Sequence, residues 1–233
     1  MRKFLTTILF VMGLSGIANA NDIYIQQVGT GNGLDLNITQ DGANNVMGTS
    51  AAKVIISGAN HTWTVSQIGG ANVIAAEIRG NTYTGTWAIT GDSNDIVFKC
   101  DSAATAGNCE TAIGNITING STSNIDILIG ETTDSDNVTL NLTIDGDENV
   151  FNADIDGASA VVTVSLDNNV LAAGNNVTMN LTMDGDGDIS GHTVILDHTG
   201  SGTIDITQSG IYDNIVSIIA SGTGQDIDIV QSD

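Results

Sequence analysis

Glutamine, glycine and asparagine return along this chain at fixed offsets. Gln27, Gly29 and Asn32 do so first, then Gln40, Gly42 and Asn45, then Gln67, Gly69 and Asn72. A primary amide both donates and accepts hydrogen bonds. Amides at equivalent positions of stacked strands therefore form ladders, each side chain donating to the next. The bland reading is that these residues are simply common in turns. Near the C-terminus Gln208 and Gly210 are followed by Asn214, one residue late, and Gln231 follows Ile227 and Ile229. No glutamine occurs between residues 68 and 207, so the candidate ladder residues lie toward the two ends of the chain.

Acidic clusters offer a second chemistry. Asp184, Asp186 and Asp188 alternate with glycine, an arrangement that can supply oxygens to calcium. An EF-hand loop counted from Asp184 needs glutamate at its twelfth position, which is Ile195 here, so that motif is excluded. The competing reading is a solvated acidic turn. His61, His192 and His198 have no serine or cysteine placed beside them in sequence. The last two are six residues apart, which puts them on one face of an unbroken strand and reads as a surface position. Acids are so abundant that a pair of them carries no catalytic signal, and the chain reads as a non-enzyme with no cofactor. Cys100 and Cys109 are the two cysteines, with a local disulfide as the expectation and a free structural pair as the alternative.

The elements that must position these groups are strands. Gly58, Gly69, Gly80 and Gly91 are eleven residues apart. Between such glycines apolar residues alternate with polar ones: Ile74, Ala76 and Ile78 share one parity, and Glu77 and Arg79 the other. Period-two alternation marks half-buried strands, and no stretch sustains a helical period. One strand and one turn take eleven residues, so two strands complete a circuit. The expectation is an all-β chain folded as a β-solenoid of strand–turn–strand repeats, about 22 residues per two-strand coil. Stacked coils enclose a thin interior about 10 Å across. The glycines are expected where the chain turns with unusual backbone angles. Three interruptions, at 100–114, 130–137 and 167–175, read as loops bulging from the stack, and one strand is expected at 23–27.

Composition agrees with strands. Proline is absent and aromatics make up 4% of the 233 residues, too few for a large conventional core. Residues 1–20 read as a secretory signal peptide: Arg2 and Lys3, a short apolar run, then Ala18–Asn19–Ala20 as the cleavage site. Residues 21–233 read as one domain, secreted to the cell surface or beyond it. Without the leader, three basic residues face 27 acidic ones, a net charge of 3 − 27 = −24. Such a surface repels nucleic acid and anionic lipid. No later run is apolar for long enough to cross a bilayer as a helix.

The Gln–Gly–Asn phrase resembles the curlin repeat of bacterial curli subunits. The likeness rests on the three N-terminal phrases and on Gln208, Gly210 and Gln231; between about residues 95 and 200 it is only periodic. The resemblance implies a structural subunit of an extracellular amyloid-like fibre serving adhesion or biofilm matrix. It implies like subunits as partners, with a nucleator subunit and an outer-membrane export pore beside them. The end glutamines then become docking surfaces between copies. The alternatives are a monomeric or capped solenoid adhesin binding surface glycans or calcium, and a viral or appendage structural protein using the same repeat.

Overall fold

The computed structural model describes residues 20–27, 33–49, 51–100, 109, 111–130, 137–157, 159–167, 176–184, 191–210 and 214–232. The strands in chain order are β1 (Ala20–Ile23), β2 (Gln26–Gln27), β3 (Asp35–Asp41), β4 (Asn44–Met47), β5 (Val54–Ser57), β6 (His61–Ile68) and β7 (Ala71–Arg79). They continue as β8 (Thr82–Thr90), β9 (Ser93–Cys100), β10 (Thr111–Asn119), β11 (Thr122–Ile129), β12 (Asn137–Asp145) and β13 (Val150–Asp156). The last are β14 (Ala160–Asp167), β15 (Asn176–Asp184), β16 (Thr193–Thr199), β17 (Ser201–Ser209), β18 (Ile215–Ser221) and β19 (Gln225–Ser232). The expected single strand at 23–27 is thus two short ones.

These strands form two parallel sheets. Sheet I has eleven strands along the order β1-β4-β7-β9-β11-β13-β15-β17-β19, with β5 pairing both β2 and β7. Sheet II has eight, in the order β3-β6-β8-β10-β12-β14-β16-β18. From β6 onward the chain crosses to the other sheet after every strand, and each strand pairs with the one a full coil away. The result is a β-solenoid of about seven turns with a spacing of roughly 26 residues. The 22-residue coil persists wherever no insertion intervenes: His61 pairs with Tyr83, Ala71 with Ser93, Val138 with Ala160 and Thr193 with Ile215. Insertions at the corners lengthen the rest, as between Thr82 and its partner Thr111. Two of the expected loops are narrower than the sequence suggests, because Cys100 ends β9, Thr111 opens β10 and Asn137 opens β12. The third lies, apart from Asp167, outside the described residues.

Alternation decides which side chains fill the interior. β3 reads exposed–buried throughout, with Leu36, Ile38 and Gln40 inward. Matching stripes from sheet I, such as Ile74, Ala76 and Ile78, close the core from the other side. The few aromatics are concentrated rather than scattered. Trp63 and Trp87 meet edge-on at 5.4 Å, Trp87 and Phe98 at 5.3 Å, and Tyr83 and Phe98 lie 5.2 Å apart. Gly85 makes room for this cluster, since a Cβ there would sit 2.1 Å from the Tyr83 hydroxyl. Cys100 and Cys109 form the expected disulfide, both sulfurs' residues fully buried, and close the corner between β9 and β10.

Candidate assembly site: buried amide ladders and open ends

One asparagine ladder runs up a corner of the solenoid. Asn21 Nδ2 donates to Asn45 Oδ1 at 3.3 Å, Asn45 Nδ2 to Asn72 Oδ1 at 2.9 Å, and Asn72 Nδ2 to Asn94 Oδ1 at 2.8 Å. Asn94 then donates to Ser123 Oγ at 3.0 Å, and the Ser123 backbone N–H donates to Asn149 Oδ1 at 2.9 Å. Each step has a second role. Asn45 also donates to the Ile68 carbonyl, Asn72 to that of Thr90, Asn94 to that of Gly91 and Asn149 to that of Gly146. The amide therefore staples a turn while it ties neighbouring coils. All but Asn21 are buried. Asn45 and Asn72 belong to the Gln–Gly–Asn phrases, and Asn94 and Asn149 carry part of the same signal, a glycine three residues earlier. Asn32 and Gly29 lie outside the described residues.

Substituting Asn72 by alanine leaves Asn94 Oδ1 without its donor and removes one of two partners from Asn45 Nδ2 and from the Thr90 carbonyl, which keep the Ile68 carbonyl and the Gly69 N–H. A buried group left unpaired costs roughly 1–3 kcal/mol and a lost hydrogen bond about 1 kcal/mol, so the variant is expected to lose about 3 kcal/mol of unfolding free energy. Urea titration measures it, and an unchanged midpoint would mean that the ladder contributes nothing to stability.

The glutamines form two short ladders rather than one set. On sheet II, Gln67 Nε2 donates to Gln40 Oε1 at 2.6 Å, and Gln40 in turn donates to the Val46 and Asn21 carbonyls. On sheet I, Gln231 Nε2 donates to Gln208 Oε1 at 2.9 Å. The N-terminal ladder ends because the next position in its column is Ile89, leaving Gln67 Oε1 buried without a partner. Gln27 pairs in register with Ile56 on sheet I, so it shares a column with Gln208 and Gln231, not with Gln40.

The turn glycines bear out the expectation only in part: Gly58 turns with a positive φ of 129°. Gly42 and Gly69 do not adopt left-handed angles. They are needed because successive turns stack too closely for a side chain. A Cβ at Gly69 would lie 1.9 Å from the Gly42 carbonyl oxygen, at Gly91 1.8 Å from that of Gly69, and at Gly120 1.7 Å from that of Gly91. Gly210 is buried, and its N–H donates to the Ser232 carbonyl at 3.1 Å.

The histidines are a second correction. His192 and His198 do share a face, but it is the interior one: both are fully buried, as is His61 at 2% exposure, and no ring nitrogen of the three has a hydrogen-bond partner. Burial lowers the pKa of each below the ordinary imidazole value, partly opposed by nearby backbone groups and, for His192 and His198, by Asp184 and Asp197. Asp184 is exposed at the end of β15 and accepts a hydrogen bond from Ser209 Oγ at 2.6 Å. Asp186 and Asp188 lie outside the described residues, and among the described residues no three His, Cys, Asp or Glu side chains are grouped to hold a metal. Nor is any helix among them long and apolar enough to cross a membrane.

Among the described residues, no strand pairs beyond β18 and β19 at one end of the stack or beyond β1, β2 and β3 at the other. At one end Val216, Ile218 and Ile227 on β18 and β19 are only partly covered; at the other, Ile23, Ile25 and Leu34 are. A strand edge with free N–H and C=O groups and half-covered apolar residues is a template for a further strand. No protein-family model matches this chain, no curated protein matches it, and no solved structure matches it.

Proposed function

We propose that this protein is the exported structural subunit of an extracellular, curli-like fibre, built by end-to-end stacking of solenoids. One observation carries the reading: four inward columns of the stack begin and end on residues of like kind. The column that ends at Gln231 begins at Gln27. The column that carries the asparagines begins at Asn21 and continues past Asn149 through Val177 and Gly202 to Gln225. On sheet II, Leu36 and Val216 head and close one column, Ile38 and Ile218 another. A second copy set head-to-tail therefore continues these four columns like with like and extends both sheets in parallel register, while the column headed by Gln40 closes at Ala220 and sets a methyl group against an amide. Neither of the opposite pairings, head-to-head or tail-to-tail, continues a parallel sheet.

Residues 21–233, purified and held at neutral pH, are expected to form thioflavin-positive filaments. The double variant Gln225→Lys with Gln231→Lys should keep the circular dichroism of the parent. Two amides lost and two charges desolvated at the junction should slow elongation from parent seeds by about tenfold or more. A parent protein that stays monodisperse supports the capped adhesin instead. A double variant that elongates at the parent rate removes the C-terminal end from the reaction.

A further inference from the structure

The two outer faces of the solenoid are chemically opposite. On sheet I, Lys53, Glu77 and Arg79 form ion pairs, and acids such as Asp126, Asp205 and Asp228 face outward along one column. On sheet II, the three central outward columns hold no charged residue from β6 to β14. That is unexpected in a chain with 27 acids. Hydroxyl groups take their place. Thr62 and Thr64 of β6 stand in register with Thr84 and Thr86 of β8, and Thr117 of β10 with Thr143 of β12. All but the half-buried Thr84 are exposed. The other positions are Thr139 and Thr163, serine, asparagine, Ala88, the bulkier Ile113 between Thr84 and Thr139, and Val161, which has the shape of threonine without its hydroxyl. Asp35 on β3 and Asp197 on β16 bound the array, and Asp145 and Asp167 stand along one edge.

Strand geometry sets the spacing of this array. Residues two apart on a strand are about 6.7 Å apart and neighbouring strands about 4.8 Å, so the threonines occupy a near-rectangular net. β-Branching holds χ1 of these threonines in few rotamers. A net with these two repeats approximates the oxygen spacing on the prism face of hexagonal ice. The methyl groups favour caged water between the rows, and the hydroxyls anchor it by hydrogen bonds. Charges would impose their own hydration, and the central columns have none. A crystalline polysaccharide is a poorer fit, because its sugar rings stack on aromatic side chains, and Trp63, Tyr83 and Trp87 all point inward.

We propose that the outer face of sheet II binds ice, its ligand being the ordered water of a crystal surface. The face runs along the side of the stack, so it is independent of the end-to-end contact. The test uses freshly purified residues 21–233 cleared of filaments. Thermal hysteresis and incorporation of the fluorescently labelled protein into a growing ice hemisphere are the readouts. The parent protein is expected to shape ice crystals, to open a hysteresis gap that widens with concentration, and to enter the ice. Thr86→Lys with Thr117→Lys should abolish both effects while circular dichroism and Tm stay at parent values. Asp205→Lys, on the outer face of sheet I, should leave both unchanged. Exclusion of the folded parent from ice overturns the proposal, as does equal loss of activity in the Asp205→Lys control. If the threonine pair instead controls association between copies and not ice, the face is a lateral contact and the proposal fails.

Discussion

Replacing Gly91 by alanine is expected to disrupt folding of the solenoid as a whole. The added methyl carbon would stand 1.8 Å from the Gly69 carbonyl oxygen and 2.8 Å from Asn72 Nδ2. Neither can yield cheaply. The carbonyl belongs to a backbone turn whose N–H donates to the Thr90 carbonyl at 2.9 Å. The amide is held by Asn94 Oδ1 and the Thr90 carbonyl. Relief requires neighbouring coils to separate at that corner, which opens the asparagine ladder above and below. A single substitution that combines backbone overlap with a broken buried network belongs to the rare class costing about 4–5 kcal/mol or more. That approaches the whole stability of many domains, so the expected result is little folded protein at 25 °C. The contrast is Gly33, a left-handed glycine with open space around it. Alanine there is strained by its backbone angle but meets no atom, and strain of that kind costs roughly 1 kcal/mol. Equal midpoints for the two variants in urea would show that close turn stacking is not what selects glycine at Gly91.

Mild acid is expected to destabilise the protein before its carboxylates matter. The imidazoles of His61, His192 and His198 are buried without partners, and burial holds their pKa values below the ordinary one. The unfolded chain binds protons on these rings near pH 6.5, while the folded chain resists them. The stabilisation is complete above that pH and is lost as the pH falls through the window beneath it. Each histidine contributes up to about 1.4 kcal/mol per pH unit there, so three contribute up to about 4 kcal/mol per unit. Asp184 near His192 and Asp197 near His198 oppose the shift and narrow the window for those two. Loss of net negative charge on acidification relieves self-repulsion and acts in the opposite direction, and an ionic strength of 0.15 M, with a Debye length of about 8 Å, weakens that contribution by screening. Denaturation midpoints measured between pH 7 and pH 5 should drop steeply in the parent and far less in a His192→Gln, His198→Gln variant. Parallel slopes would show that these rings titrate freely and are not sealed in the core.

Much of this architecture is legible in the sequence because period two and period eleven are local properties. Ile74, Ala76 and Ile78 announce an inward stripe without reference to any other strand. The turn phrase is visible for the same reason, although the role of its glycine is not. Left-handed angles are a single-residue property and come easily to mind; the clash of Gly91 with Gly69 involves two coils and appears only once register is known. Register also separates Gln40 from Gln208, which look equivalent in sequence and lie on different sheets. The histidines depart from the expected surface position because polarity does not by itself mean exposure. His198 follows Val194 and Leu196 at even spacing, and the alternation alone places it inward.

The disposition of the coils also bears on how such a chain reaches its final form. Every strand pairs with a segment roughly one coil away, and none with a distant part of the sequence. Folding can therefore proceed as a zipper, each completed coil templating the next. Adding the next coil of the same chain and adding the first coil of another molecule are then one reaction at two effective concentrations. The tether supplies millimolar concentration in the first case, and bulk protein sets it in the second.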